Sequence, residues 1–260
     1  MPYTPKYTYT YKKEPEDERD LKFKLEVKLI ELNNLPLKVD LRTTGFIPPI
    51  LDQLMLNACV AAATCNALMY CLKKEKATVF KPSRLYMYYF CRFIENTVNQ
   101  DAGCYIRTAM QEIQTYGACN ESLWPYYISR YKIRPSNTAV RDALTHVKGF
   151  KYMSLDHDII QIKTALAMGY PIMFGIAVYE SFESDDALST GNIPIPNVET
   201  EMFLGGHAIL LIGYDDDTKL CTFMNSWGTG VGQKGYFTIP YEYVSSHGLA
   251  FDFWCITFFK

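Results

Sequence analysis

The chain has 260 residues, 48% hydrophobic and 21% charged, with a formal net charge of −2 at pH 7, a composition that suits one large domain or two small ones. So balanced a charge gives no electrostatic grip on nucleic acid or an anionic membrane, and no apolar run approaches the roughly 18 residues of a membrane-spanning helix. The eight cysteines include no CxxC and no histidine at zinc-finger distance, so no structural metal site and no cofactor are expected, and buried thiols are the default reading.

Residues 1 to about 20, MPYTPKYTYTYKKEPEDERD, are rich in Pro, Tyr and charge and have no period. They read as an extended tail that cannot form a core alone and lacks the apolar centre of a secretory signal, which argues for synthesis in a reducing compartment. KFKLEVKLI then alternates, with Phe23, Leu25, Val27 and Leu29 on one side, as in an extended strand. NACVAAATCNALMYCLKK is apolar nearly all round, the pattern of a buried helix, with Asn57 placed to cap its start and Lys73 and Lys74 to suit its negative end. Pro82-Ser83 opens a second helix through RLYMYYFCRFI, and YIRTAMQEIQTYG is a third, closed by Gly117. Beyond about residue 146 one helix, HDIIQIKTALAMG, precedes a buried strand, YPIMFGIAVY, and strands dominate thereafter. Residues 180–204, ESFESDDALSTGNIPIPNVETEMFL, have no convincing period; so long a loop suggests a functional segment, here a wall of a binding cleft.

The buried strand Ala208–Ile212 follows Gly205-Gly206-His207, turns at Asp215-Asp216-Asp217 and returns as TKLCTFMN. Pairing Tyr214 with Thr218 brings His207 opposite Asn225. An amide there can accept from one ring nitrogen, fix the tautomer and leave the other nitrogen as a base. Such a base needs a nucleophile, and Cys59 at the start of the buried helix is the best placed of the eight, because unpaired N–H groups and the helix dipole favour a thiolate. The order Cys, His, Asn, with 148 and 18 residues between successive members, fits a nucleophile from a helix in one domain and partners from strands of the next.

With these residues in place the chain resembles the papain-like cysteine peptidases, the papain and cathepsin family. The matching stretches are VDLR near residue 40, DQLMLNAC with Gln53 six residues before Cys59, LWPY, GGHAILLIGY and NSWGTGVGQKGYF from Asn225, in family order over about residues 36 to 258. PEDERDLKF, SRLYMYY and YESFES look closer to microbial and viral members. The resemblance implies an α+β, two-lobed papain-like fold: a helical lobe over 38–145 carrying the nucleophile, an antiparallel, β-barrel-like lobe over 146–260 carrying His and Asn, and the active site in the cleft between. It implies peptide-bond hydrolysis through an acyl-enzyme on Cys59, with His207 as base and then acid, Asn225 orienting it, Trp227 shielding that hydrogen bond, and Gln53 as side-chain donor of the oxyanion hole. Gly103 resembles the glycine that lets substrate backbone approach, and Ala208 falls at the specificity pocket. Residues 1–37 are then an N-terminal extension expected to lie along the cleft as an autoinhibitory pro-segment, as in a zymogen. The expected partner is a polypeptide substrate, with neither nucleic acid nor membrane, in the cytoplasm or, for a viral chain, packaged in a particle.

The chain departs from the family where Leu54, Leu56 and Val60 replace the usual Gly, Cys and Trp, which removes a half-cystine beside the nucleophile, and where Val231 replaces a second Trp. Most cysteines are therefore expected as free thiols. A rival reading is a catalytically silent papain-like protein that grips peptide without cutting it. A lone helix cysteine or strand-end histidine is usually structural; their joint occurrence with Asn-Ser-Trp-Gly in order favours catalysis. His146, His157 and His247 read as surface or loop residues.

Overall fold

The computed structural model describes residues 3–23, 35–146 and 150–258. The strand expected over KFKLEVKLI lies outside them beyond Phe23. Helix α1 (Cys59–Lys74) is buried from Cys59 to Leu72, as its all-round apolar sequence requires, and packs against the sheet and against α2 (Arg84–Ile94) and α3 (Ile106–Tyr116). Ser83 caps α2 by accepting from the Tyr86 N–H, and Gly117 closes α3 at φ +75°. Helix α4 (Asn137–His146) completes the helical run.

The strands β1 (Lys38–Asp40), β2 (Phe150–Leu155), β3 (Ile172–Tyr179), β4 (Phe203–Asp215), β5 (Leu220–Met224), β6 (Tyr236–Pro240) and β7 (Ala250–Phe258) form one antiparallel sheet in the order β2-β7-β3-β4-β5-β6, with β1 on the end of β4. Lys38–Asp40, which the sequence places with the helices, thus joins the sheet. Strand β3, buried along nearly its whole length, runs between β4 and β7, while α5 (Ile159–Ala167), capped by Asp158, packs against β3 and β4. This places the start of α1 against the middle of the sheet and fixes where a helix-borne and a strand-borne side chain can meet.

Three local expectations differ. Asn57 does not cap α1: the N-cap is Ala58, with no side-chain hydrogen bond. The Asn57 amide is held by Asp101, donating from Nδ2 to its carbonyl at 2.8 Å and from the backbone N to its carboxylate at 3.1 Å. Residues 180–204 are not structureless: a 3-10 turn over Glu180–Glu183 leads to the short helix α6 (Asp185–Thr190), capped by Ser184 and closed by Gly191. The β4–β5 turn is also longer than its acidic triplet suggests. Asp215 accepts from the amides of Asp217 and Thr218, an Asx turn that delays the reversal, so Tyr214 pairs with Cys221 instead of Thr218 and a bulge follows between Leu211 and Gly213.

Candidate active site

Cys59 is the first residue of α1, buried at 4% exposure, with its sulfur against the backbone N–H of Ala208. That contact brings the helix start to the residue that follows His207 on β4. His207 is not at the strand's mouth as its sequence suggests: β4 begins at Phe203 and runs through both glycines, pairing Gly205 with Val178 and Gly206 with Ala177 on β3.

The imidazole of His207 is buried, and its Nε2 lies 2.8 Å from Asn225 Oδ1. The same oxygen accepts the Ser226 backbone N–H at 2.8 Å, which fixes which end of the amide is the carbonyl. Nε2 therefore carries the proton and Nδ1 is left as an acceptor. Trp227 stacks on the imidazole at 5.2 Å between centroids and 23° between planes. Gln53 is buried; its Oε1 accepts from Ser226 Oγ at 2.6 Å, its Nε2 donates to the Leu56 carbonyl at 2.8 Å, and its backbone N donates to Ser226 O at 2.8 Å. The second hydrogen on Nε2 is left for another acceptor. Leu54, in the family's glycine position, adopts φ +53°, so the loop before Cys59 keeps a left-handed residue without the amino acid that best tolerates it.

A stretch of the chain's own N-terminus occupies the cleft. Tyr11 N donates to Gly206 O at 3.0 Å in an antiparallel bridge. A Cβ at Gly206 would stand 2.1 Å from Tyr11 O, one at Gly205 2.3 Å from Tyr9 O, and one at Gly103 2.6 Å from Thr10 Oγ1. That close approach explains why the greasy strand opens with two glycines, and it brings Gly103 to the opposite side of the same peptide. Tyr7 stacks on Trp227 at 4.0 Å and Tyr9 meets His207 edge-on at 5.8 Å. The Tyr11 ring lies over Gly175 and stacks on Phe251, and its hydroxyl donates to Asp252 at 2.8 Å.

Burial sets the charges here. It pushes the Cys59 thiol up to about 12 against the lowering contact of the Ala208 N–H, and pulls His207 down to about 4 against the Asn225 hydrogen bond and the charge of Glu183. The thiolate that the helix start favours is thus suppressed: with three tyrosines over the cleft, desolvation outweighs the dipole, and thiol and imidazole are both neutral at pH 7.

Two anchors of this segment escape a sequence reading. Glu183, 1% exposed, accepts from Tyr3 OH, Lys6 N, Tyr7 N and Tyr9 OH at 2.5–2.9 Å. Glu14 and Asp252 are the second: Glu14 N donates to Asp252, while the Glu14 carboxylate accepts from Arg107 N and Trp254 Nε1. Only the aperiodic acidic stretch ESFESDD signalled the first. His146, the last residue of α4, stacks on Phe80 and bonds Asp142, and His157 bonds Val244 O; both are half-buried, and His247 is exposed. All eight cysteines are unpaired and buried. Among the described residues no group of three or more His, Cys, Asp or Glu could hold a metal, and no helix is long and apolar enough to cross a membrane.

A helix-start cysteine held against the residue that follows a histidine bonded to an asparagine, in a cleft filled by peptide, is the arrangement that the comparison with known proteins meets. The papain family cysteine protease profile matches residues 35–252, and the chain belongs to that family, with its α+β papain-like fold and hydrolase activity. It is 34% identical to xylellain, a cysteine protease from Xylella fastidiosa, with a TM-score of 0.90 over 100% of this chain and 99% of that one. An uncharacterized peptidase C1-like protein of Acanthamoeba polyphaga mimivirus is 35% identical over 95% of this chain and 86% of its own length. Cathepsin K of Mus musculus is 26% identical over 78% of this chain and 59% of its own. The likeness to microbial and viral members read from the sequence agrees with the first two.

Proposed function

We propose that this cysteine peptidase cuts polypeptides through an acyl-enzyme on Cys59, with His207, Asn225 and Gln53 as the rest of the catalytic set, and that residues 1–37 hold it inactive until displaced. The observation that carries the reading is the His207 Nε2 to Asn225 Oδ1 contact of 2.8 Å, which leaves Nδ1 free to take a proton. Cys59 Sγ attacks the carbonyl carbon as Nδ1 takes the thiol proton; the oxyanion is met by Gln53 Nε2 and the Cys59 backbone N–H, each donor worth roughly 2.7–4 kcal/mol. The imidazolium then protonates the leaving amine, and a water deprotonated by His207 hydrolyses the thioester. Trp227 keeps water off the imidazole–amide bond, and Gly103 and Ala208 line the path of the substrate. The helical region to residue 145 and the strand-rich region from 146 act as the two walls of the cleft.

Support for the inhibitory role comes from the chain itself: the Tyr7–Tyr11 peptide covers Trp227, His207 and Gly205–Gly206, where a substrate must lie. The test is alkylation by iodoacetamide of the protein activated by removal of residues 1–37, followed by peptide mapping. Preferential labelling of Cys59, lost in His207→Ala, is expected; equal slow labelling of all eight cysteines overturns the reading in favour of a silent peptide-binding protein.

A further inference from the structure

Glu183 is a carboxylate whose hydrogen-bond donors, among the described residues, all come from the N-terminal segment: Tyr3 OH, Lys6 N, Tyr7 N and Tyr9 OH. Its neighbours on the same wall are acids, Glu180, Asp185 and Asp186, and the cation seated there is Lys6, whose ammonium lies 2.7 Å from Asp185 Oδ1 and 3.1 Å from the Glu183 carbonyl. When a substrate takes the segment's place these bonds are vacated together, and a carboxylate in so enclosed a site must be paired again or rehydrated.

The side of the cleft on which this happens follows from the chemistry. The leaving amine receives its proton from His207, so its chain passes over the imidazole and the indole that covers it. Phe182 packs edge-on against Trp227 at 5.8 Å between centroids, which sets Glu183 just beyond that indole. The charge of Glu183 reaches His207 itself.

We propose that Glu183, with Asp185 beside it, is a specificity subsite that takes a lysine or arginine side chain of the polypeptide on the leaving-group side of the scissile bond. The inference rests on the catalytic reading above. Lys6 is the segment's occupant of this subsite, its ammonium on Asp185 and on the Glu183 carbonyl; the segment runs from Lys6 at this end to Tyr11 at Gly206, opposite to a productive substrate, so it is the side-chain cation and not the amide pattern that a substrate would share. An acidic residue at the same place meets up to four like charges, those of Asp185 and Asp186 on exposed side chains, and is rejected.

The test uses the full chain carrying Tyr9→Ala and Tyr11→Ala, which removes the segment's side chains over His207 and Gly175 while keeping every residue. Internally quenched peptides that differ only by Lys, Ala or Glu at the first, second or third position after the scissile bond are compared on one preparation, so that the fraction of open enzyme cancels in the ratio of kcat/KM. At one position the Lys peptide is expected to exceed the Glu peptide about tenfold at low salt, with the ratio falling as salt rises. Glu183→Gln should lower that ratio, as should Asp185→Asn, on an exposed side chain whose loss does not threaten the fold; the two together should bring it close to one. Turnover with less than twofold discrimination at all three positions overturns the subsite and leaves the catalytic reading standing. Absence of both turnover and preferential Cys59 labelling overturns both.

Discussion

His207 and Asn225 meet at 2.8 Å although the strands that carry them are two residues out of register for such a pairing. Leu210 pairs with Met224, so continuing the ladder would bring Trp227, not Asn225, opposite His207. The contact exists because β5 ends at Met224 and Asn225 turns away, its N–H donating to Gly235 O. Trp227 is thereby free to stack on the imidazole instead of pairing with its backbone.

Asn225→Ala should lower kcat about tenfold or more with little change in KM, whereas His207→Ala should cost about 10²–10⁴. Steady-state kinetics on a quenched peptide checks this, and equal losses in the two variants would place Asn225 among the groups that handle protons rather than those that orient them.

Deleting residues 1–37 should raise Cys59 alkylation and peptide turnover together, since the desolvation that suppresses the thiolate is supplied in part by Tyr9 and Tyr11. Circular dichroism must show the truncated protein folded. Unchanged rates in a folded protein would remove the inhibitory role.

Gly206→Ala separates docking of the segment from access of substrate. The added Cβ would stand 2.1 Å from Tyr11 O, so the segment should be loosened and iodoacetamide labelling of Cys59 accelerated. Substrate backbone must cross the same position, so kcat/KM should fall. A rise in both rates would mean that substrate follows another path.

The Glu14 anchor makes docking of the segment sensitive to pH. Burial and the charge of Asp252 raise the Glu14 carboxyl to about 7, against the opposing Arg107 and Trp254 contacts. A carboxyl whose docked pKa lies above its free value of about 4.3 supports docking fully below that value and loses its contribution as pH rises through about 7. Asp252, itself raised, faces it together with Tyr11, and Arg107 is shared with Asp20. Release of the segment, followed by limited proteolysis near residue 12, should therefore increase between pH 5 and 8, and Glu14→Gln should flatten the increase.

Glu112 is wholly buried, neither carboxyl oxygen has a partner among the described residues, and burial holds its carboxyl well above the usual range. The folded protein keeps it neutral while the unfolded chain ionises above about pH 4.3, so each further pH unit costs about 1.4 kcal/mol until the folded group also titrates. Glu112→Gln should raise Tm by about 3 °C or more at pH 8 and leave it unchanged at pH 4. Calorimetry at the two pH values decides it.

Readable along the chain are the elements and the motifs they carry: the all-apolar helix starting at Cys59, the strand after Gly-Gly-His, the Asn-Ser-Trp-Gly run and Gln53 six residues before the cysteine. These are legible because helix burial, strand pattern and motif spacing are encoded over a few neighbouring residues. Packing alone settles that the two glycines cradle the backbone of residues 9–11, that the β4–β5 register slips by a longer Asx turn and a bulge, and that Glu183 gathers four donors of the N-terminal segment. The Tyr9 to Glu183 bond joins residues 174 apart in the chain, a distance no local pattern spans. The charge state of Cys59 and His207 was decided there too. The helix start pulls the thiol one way through nearby dipoles, while enclosure by Tyr9 and Tyr11 pulls it the other, and desolvation is a property of what surrounds a group in space, not of what precedes it in sequence.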